Sequence, residues 1–258
     1  MSFFRADGDV FEPTELTRGP WDPDAQHAGP PAALLGRAIE RCGDGEGKHV
    51  GRVTAEVLRP VPMTTLTVSA QVVRPGRSVE LVEASLSDGE GEVMLARGWR
   101  LVTQPVELDP APADEPPGHG PADGTPRDFF PTGVDLGYHT AMEYRFVTGA
   151  YLEIGPAVVW MRMRHPLVEG EEPTPLQRVL VAADSGNGVS AALDYRRFLF
   201  INTDLTVHLH RGPAAEWVCL DAATRLDSAG VGMSDALLWD EGGRVGRAAQ
   251  TLLVRERV

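Results

Sequence analysis

Residues 52–73, RVTAEVLRPVPMTTLTVSAQVV, lie without a gap over residues 204–225, DLTVHLHRGPAAEWVCLDAATR, when Arg59 is set on Arg211, an offset of 152. Carried onward, the same offset brings Asp88 to Asp240, Gly91 to Gly243, Val93 to Val245 and Ala96 to Ala248. Few residues are identical, but strands and turns match throughout, which is the mark of an internal duplication. In the first copy Val53, Ala55 and Val57 alternate with polar neighbours, and Leu66, Val68 and Ala70 do so after the Pro60/Pro62 turn. That alternation belongs to half-buried strands. The stretch 79–86, the hairpin DGEGE (88–92) and the stretch 93–102 complete an antiparallel meander. The second copy repeats it as 205–209, 217–223, 231–239, the hairpin DEGG (240–243) and 245–254.

One helix precedes each meander. PPAALLGRAIERCG (30–43) carries two prolines in its first turn, where their missing N–H groups cost nothing, and Gly43 where the helix should stop. TPLQRVLVAAD (174–184) offers Thr174 as N-cap and Pro175 at the first helical position. Leu176, Val179, Leu180 and Ala183 form one apolar stripe along it. So much sheet after a single helix excludes a parallel βαβ design and predicts an α+β chain, a helix wrapped by antiparallel strands, twice over. Between the copies, 104–134 is dense in Pro, Gly, Asp and Glu and reads as a tether without its own core. The expected organisation is therefore one half over 1–103, the linker 104–134, and a second half over 135–258. The second half opens with strands near 142–147 and 157–164.

Composition narrows the partners. A net charge of −13 argues against nucleic acid or an anionic membrane, though a few local arginines still suit a small anionic ligand. No run of eighteen apolar residues spans a bilayer, and the opening MSFFRADGDVFEP lacks the basic-then-apolar pattern of a secretory signal, so the expected location is cytoplasmic. Two cysteines, Cys42 and Cys219, make neither a disulfide framework nor a four-cysteine zinc site.

Four places carry chemistry-bearing residues. Asp184 ends the second apolar stripe beside Gly186 and Gly188, and reads either as a cap for the turn at Val189 or as a carboxylate that holds water. In INTDLTVHLHR (201–211), unbroken alternation puts Asn202, Asp204, Thr206, His208 and His210 on one face, either a solvated surface or a site. His208 and His210 have no third ligand at a recognisable spacing, so no metal is expected. Gln250, among Ala248, Ala249 and Leu252, needs hydrogen-bond partners if buried, from the sheet or from a substrate. His27 and the N–H groups after Gly29 stand at a helix N-terminus, which suits an oxyanion or a pyrophosphate; a structural residue at the helix entry is the plainer alternative for His27.

HAGPPAALLGRAIE (27–40), LRPVP (58–62), AADSGNGVSAAL (182–193), NTDLTVHLHR (202–211) and AAQTLLVRE (248–256) together resemble the acyl-CoA thioesterase II family and the wider thioesterase-like superfamily. The resemblance spans nearly the whole chain. It implies the double hot-dog fold, two antiparallel sheets each wrapped around a central helix and fused as a pseudo-dimer. It also implies hydrolysis of a fatty acyl-CoA thioester by water bound at an Asp–Thr–Gln set, with no covalent intermediate and no cofactor. The family's Asp falls on Asp184 and its Gln on Gln250, but its Thr falls on Asn202, with Thr203 adjacent. Asn202 and Thr203 exclude each other, because a slip of one residue flips the strand face. Arg59 and Arg211 stand where the resemblance suggests contacts to the phosphates of coenzyme A. Two other functions stay open: an acyl-CoA binding or sensing module, and an enoyl-CoA hydratase or dehydratase, which needs an Asp/His pair drawing on His208 or His27. Exposed sheet edges favour a homo-oligomer.

Overall fold

The computed structural model describes residues 1–45, 47–107 and 117–257. Among the described residues, thirteen strands form one antiparallel sheet: β1 (Phe4–Asp7), β2 (Val10–Pro13), β3 (Lys48–Val57), β4 (Leu66–Arg74), β5 (Val79–Asp88), β6 (Gly91–Val102), β7 (Met142–Thr148), β8 (Ala157–Met163), β9 (Phe198–Asn202), β10 (Asp204–Leu209), β11 (Val218–Asp227), β12 (Val231–Asp240) and β13 (Gly243–Glu256). Their spatial order is β1-β2-β4-β5-β6-β3-β10-β13-β12-β11-β8-β7, with β9 added along β13. Two helices of substance, α1 (Gly29–Arg41) and α3 (Pro175–Ala183), accompany the short α2 (Tyr138–Ala141) and α4 (Gly186–Val189). The large antiparallel sheet with few helices is the expected α+β class.

The middle of the sheet is the pairing of β3 with β10. There Thr54 stands opposite Thr206, their hydroxyl oxygens 3.3 Å apart. The two threonines are 206 − 54 = 152 residues apart, the offset of the sequence repeat. Reading outward from that pair, β6, β5 and β4 follow on one side and β13, β12 and β11 on the other. The hairpin between β5 and β6 is pinned by Arg59 on Asp88 at 2.5 Å, and that between β12 and β13 by Arg211 on Asp240 at 2.6 Å. In each, the aspartate also accepts backbone N–H bonds inside its own turn, and Gly91 and Gly243 adopt a φ near +140° that side chains avoid. Arg59 and Arg211, which the resemblance sets at the phosphates of coenzyme A, each pair with a carboxylate that closes a hairpin.

Helix α1 packs on β3, β4, β5 and β6, α3 packs on β8, β10 and β11, and the two helices pack on each other. Glycines set their approach: a Cβ at Gly29 would stand 2.6 Å from the Val181 carbonyl oxygen, and one at Gly36 would strike Leu180. Across the other end, Thr174 accepts from the Gln177 N–H as N-cap and donates to Glu40 of α1 at 2.8 Å, while Glu171 takes Arg37 and Arg41 together. Gly43 ends α1 in the left-handed region at φ +56°, the usual C′ geometry.

Two parts of the chain depart from expectation. The N-terminal stretch forms a hairpin, β1–β2, that buries Phe3, Phe4 and Phe11 and extends the sheet beside β4. The described part of 104–134 is not a bare tether: Thr125 exchanges both backbone bonds with Phe146, Trp160 donates its indole N–H to His119, and Phe130 is 4% exposed. A pair of large rings in a Pro/Gly-rich stretch has burial as its driving force, and residues 129–130 take it. Residues 108–116 of the expected linker lie outside the described residues.

Candidate active site

Asp184 caps the C-terminus of α3 with helical backbone angles, and the short turn Gly186–Val189 carries no side-chain cap bond. It is 4% exposed, and three side chains from other elements converge on it. Asn202, the last residue of β9, donates its amide to Oδ1 at 2.9 Å. Gln250, in β13, donates to the same oxygen at 3.2 Å and to the Asp184 carbonyl at 3.1 Å, and its own carbonyl accepts the Asn187 N–H at 3.1 Å. Gly186 makes room for this: a Cβ there would stand 3.1 Å from both Gln250 Oε1 and Ser234 Oγ. Both ends of the buried Gln250 amide are thus used, as burial demands.

The third partner is His27, whose Nδ1 lies 3.0 Å from Asp184 Oδ2. His27 precedes α1, its backbone N–H bonded to the Thr17 carbonyl. Its ring stacks on Tyr138 at 3.6 Å with only 10° between planes. The Tyr138 hydroxyl donates to the Val181 carbonyl at 2.6 Å and meets Ser185 Oγ at 2.9 Å. Burial pushes the Tyr138 phenol well above its ordinary range, so it stays a neutral O–H that holds the ring in place. The Gly29 N–H donates to the same Nδ1 at 3.2 Å.

Of the residues singled out in the sequence, the structure brings together Asp184, Asn202, Gln250 and His27, with Gly29 alongside. Thr203 is not among them. The ladder to β13 runs Asn202↔Leu252 along β9 but Thr206↔Ala249 along β10, a shift of one residue between the two strands. Thr203 occupies the irregularity, exposed, with its N–H on the Thr251 carbonyl, while the Asp204 carboxylate accepts the Thr251 N–H. The shift also corrects the unbroken alternation. Asn202 faces inward with Phe200, whereas Leu205, Val207 and Leu209 face inward along β10 and His208 and His210 are exposed.

Beside the cluster is a cleft of about 240 Å³ lined by Trp21, Phe130, Tyr151, Tyr195 and Phe200 among others. It shares Trp21, Phe130, Tyr151 and Gly188 with a narrow pocket of about 20 Å³ that reaches His27, Tyr138, Ser185 and Asn187. These rings were missed in the sequence because they come from five separate segments. The pair at 129–130, the only Phe, Tyr or Trp residues in 104–134, was the one available signal.

The profile for an acyl-CoA thioesterase N-terminal domain matches residues 17–101, and that for an acyl-CoA thioesterase C-terminal domain matches residues 107–254. A hot-dog protein of unknown function from Alicyclobacillus acidocaldarius is 16% identical, covers 99% of this chain and 96% of its own, and superimposes with a TM-score of 0.76. A protein assigned as a thioesterase II from Thermobifida fusca is 18% identical, over 97% of this chain and 94% of its own, also at 0.76. An acyl-CoA thioesterase II from Mycobacterium marinum is 14% identical, over 97% and 94%, at 0.68. At these identities the likeness establishes the hot-dog fold. No curated protein matches the chain at a significant level.

Proposed function

The chain belongs to the acyl-CoA thioesterase family, a family of thioester hydrolases, and from that premise we propose that it hydrolyses an acyl-CoA thioester at Asp184. The observation that carries this is the convergence of Asn202, Gln250 and His27 on one buried carboxylate beside a cleft. Asp184, Asn202 and Gln250 hold the attacking water. Fixing that water against the thioester carbonyl supplies mainly orientation, the largest gain open to a site with no covalent intermediate. As the water oxygen bonds to the carbonyl carbon, its proton passes to the Asp184–His27 pair. The C–S bond then breaks, and the thiolate of coenzyme A takes the proton back. His27 gives the buried carboxyl a further polar partner, which burial demands.

The family's threonine position is filled by Asn202, whose amide donates to Asp184 and leaves its carbonyl to accept from water. We further propose that the halves, over 1–103 and 135–258 with 104–134 between, are copies of one hot-dog unit fused as a pseudo-dimer. The 152-residue spacing of Thr54 from Thr206 and the matched Arg–Asp hairpin pins support it. Asp184, Asn202 and Gln250 come from the second copy and His27 from the first, so one site serves the chain.

The Asp184–His27 pair also favours a second chemistry, addition of water to an α,β-unsaturated acyl-CoA, since that reaction needs an acid and a base in one cleft. Thiol release from a panel of acyl-CoA substrates, run beside hydration of a short enoyl-CoA, tests both. Free thiol supports hydrolysis and loss of enoyl absorbance without thiol supports hydration. Saturable binding with neither sinks both in favour of a binding module.

A further inference from the structure

The face of the sheet turned away from α1 and α3 has an ordered pattern of charge where β3 meets β10. Along β3, Arg52, Thr54 and Glu56 lie on that face, and along β10, His208, Thr206 and Asp204 do, alternating with the buried Val53, Ala55, Leu205 and Val207. The ladder sets Arg52 opposite His208, Thr54 opposite Thr206, and Glu56 opposite Asp204. Two hydroxyls are thus flanked by a basic pair on one side and an acidic pair on the other. Like charges directly opposite each other destabilise a sheet. Among the described residues, Arg52, Glu56, Asp204 and His208 take part in no ion pair, while the neighbouring Arg97 and Arg247 close on Glu83 and Asp235. Arg52 Nε is buried without a hydrogen-bond partner.

The strands on either side extend the pattern. In register with the two threonines stand Arg97 on β6, Ala249 on β13, Asp235 on β12 and Ala223 on β11. Two residues to either side of that row lie Trp99 and Leu95 on β6, Leu237 and Met233 on β12, and Asp221 and Arg225 on β11. Turning the face over about an axis along this row lays each strand antiparallel on its own copy. Arg52 then faces Glu56, His208 faces Asp204, and Asp221 faces Arg225. Leu237 faces Met233, Trp99 faces Leu95, and Arg247, already paired, faces Thr251. Opposite charges and apolar side chains therefore meet their complements in a second copy of the same surface. The ends of the sheet are already engaged, β1 by backbone bonds of Phe4 to Leu167 and Glu169 and β7 by Thr125 on Phe146, which favours the face over the edges as the meeting surface.

We propose that two copies of the chain pack outer face to outer face, across a two-fold axis that crosses the strands at the Thr54–Thr206 pair. Such an interface is isologous, each contact occurring twice. Packed sheets lie roughly 10 Å apart with strands within about 30° of each other, so the rows nearest the axis stay aligned and β3 and β10 carry the contact. Sedimentation velocity of the full chain over a concentration series reads the state, and wild type should run as a dimer. Glu56→Arg sets a cation against Arg52 of the partner subunit and should weaken the dimer at least about tenfold. Arg52→Glu should do the same from the other side. The double variant Glu56→Arg, Arg52→Glu exchanges the pair and should restore the dimer. Thr206→Arg places two like charges together on the axis and should leave the chain monomeric. All three positions are at least partly exposed, and melting curves near wild type confirm that the variants fold. A wild type that stays monomeric throughout the series overturns the proposal. So does a dimer that neither Glu56→Arg nor Thr206→Arg weakens, or a double variant that stays as weak as the single ones. The face holds none of the Asp184 cluster, so each of these outcomes leaves the hydrolase reading as it stands.

Discussion

His27 Nδ1 and Asp184 Oδ2 stand 3.0 Å apart, joining the loop before α1 to the end of α3. The contact puts a basic partner of Asp184 on an element far from it in the chain. Replacing Asp184 by Asn keeps its shape and removes its capacity to take a proton. Thiol release should fall by at least about a hundredfold, the scale of a lost general base, while circular dichroism and melting stay near wild type. Wild-type turnover in purified Asp184→Asn would end the mechanism.

His27→Gln separates a proton carrier from a prop. Glutamine still donates a hydrogen bond to Asp184 but cannot hold a proton at neutral pH. If the pair moves the proton, kcat drops by about ten- to a hundredfold with KM little changed, and the pH profile of kcat/KM changes shape. A loss confined to KM, on an unaltered profile, would leave His27 a positioning residue.

The shift at Thr203 makes a sharp comparison. Asn202→Ala takes away a 2.9 Å bond to the carboxylate and should lower kcat by about tenfold or more. Thr203→Ala removes an exposed hydroxyl outside the cluster and should leave the rate within about twofold. The reverse ranking would put the irregularity between β9 and β10 one residue away from its place.

That shift also shows where sequence legibility stops. The hairpins, the Thr174 cap and the apolar stripe of α3 were legible because each depends on neighbours within a few residues. The candidate site was legible in its residue types, through the resemblance, but the face of Asn202 was not. A bulge is a property of the partner ladder, and one inserted residue inverts every alternation beyond it. Arg59 and Arg211 likewise show positive charge in the sequence but not the aspartates that absorb it. Asp88 and Asp240 reach them only once the hairpins fold.

Acid should expose those buried pairs. Arg211, hydrogen-bonded to Asp240, holds that carboxyl down at about 2, and Arg37 does the same for Glu171, also to about 2. A carboxyl depressed on folding stabilises the protein fully above its unfolded value of roughly 4, and the gain is lost as pH falls through the folded one near 2. Asp240→Asn should therefore lower stability by about 1–2 kcal/mol at pH 7, allowing for screening of the partly exposed guanidinium. Thermal unfolding at pH 7 and pH 3 checks this, since the gap between variant and wild type should shrink at the lower pH. A constant gap would mean that the Asp240 charge adds nothing.

Gly36 tests the helix contact that sets the site. A Cβ there would collide with Leu180 Cδ1, so Gly36→Ala must push α1 and α3 apart or force Leu180 into another rotamer. Alanine is the better helix former by about 1 kcal/mol, yet overpacking costs about 1–3 kcal/mol, so the net change should be destabilising. Displacement of α1 carries His27 with it, because Gly29 and His27 share the start of that helix. The expected variant melts lower and hydrolyses more slowly. A variant that melts higher, its activity intact, would show that Leu180 rotates freely and that α1 is not seated by the glycine.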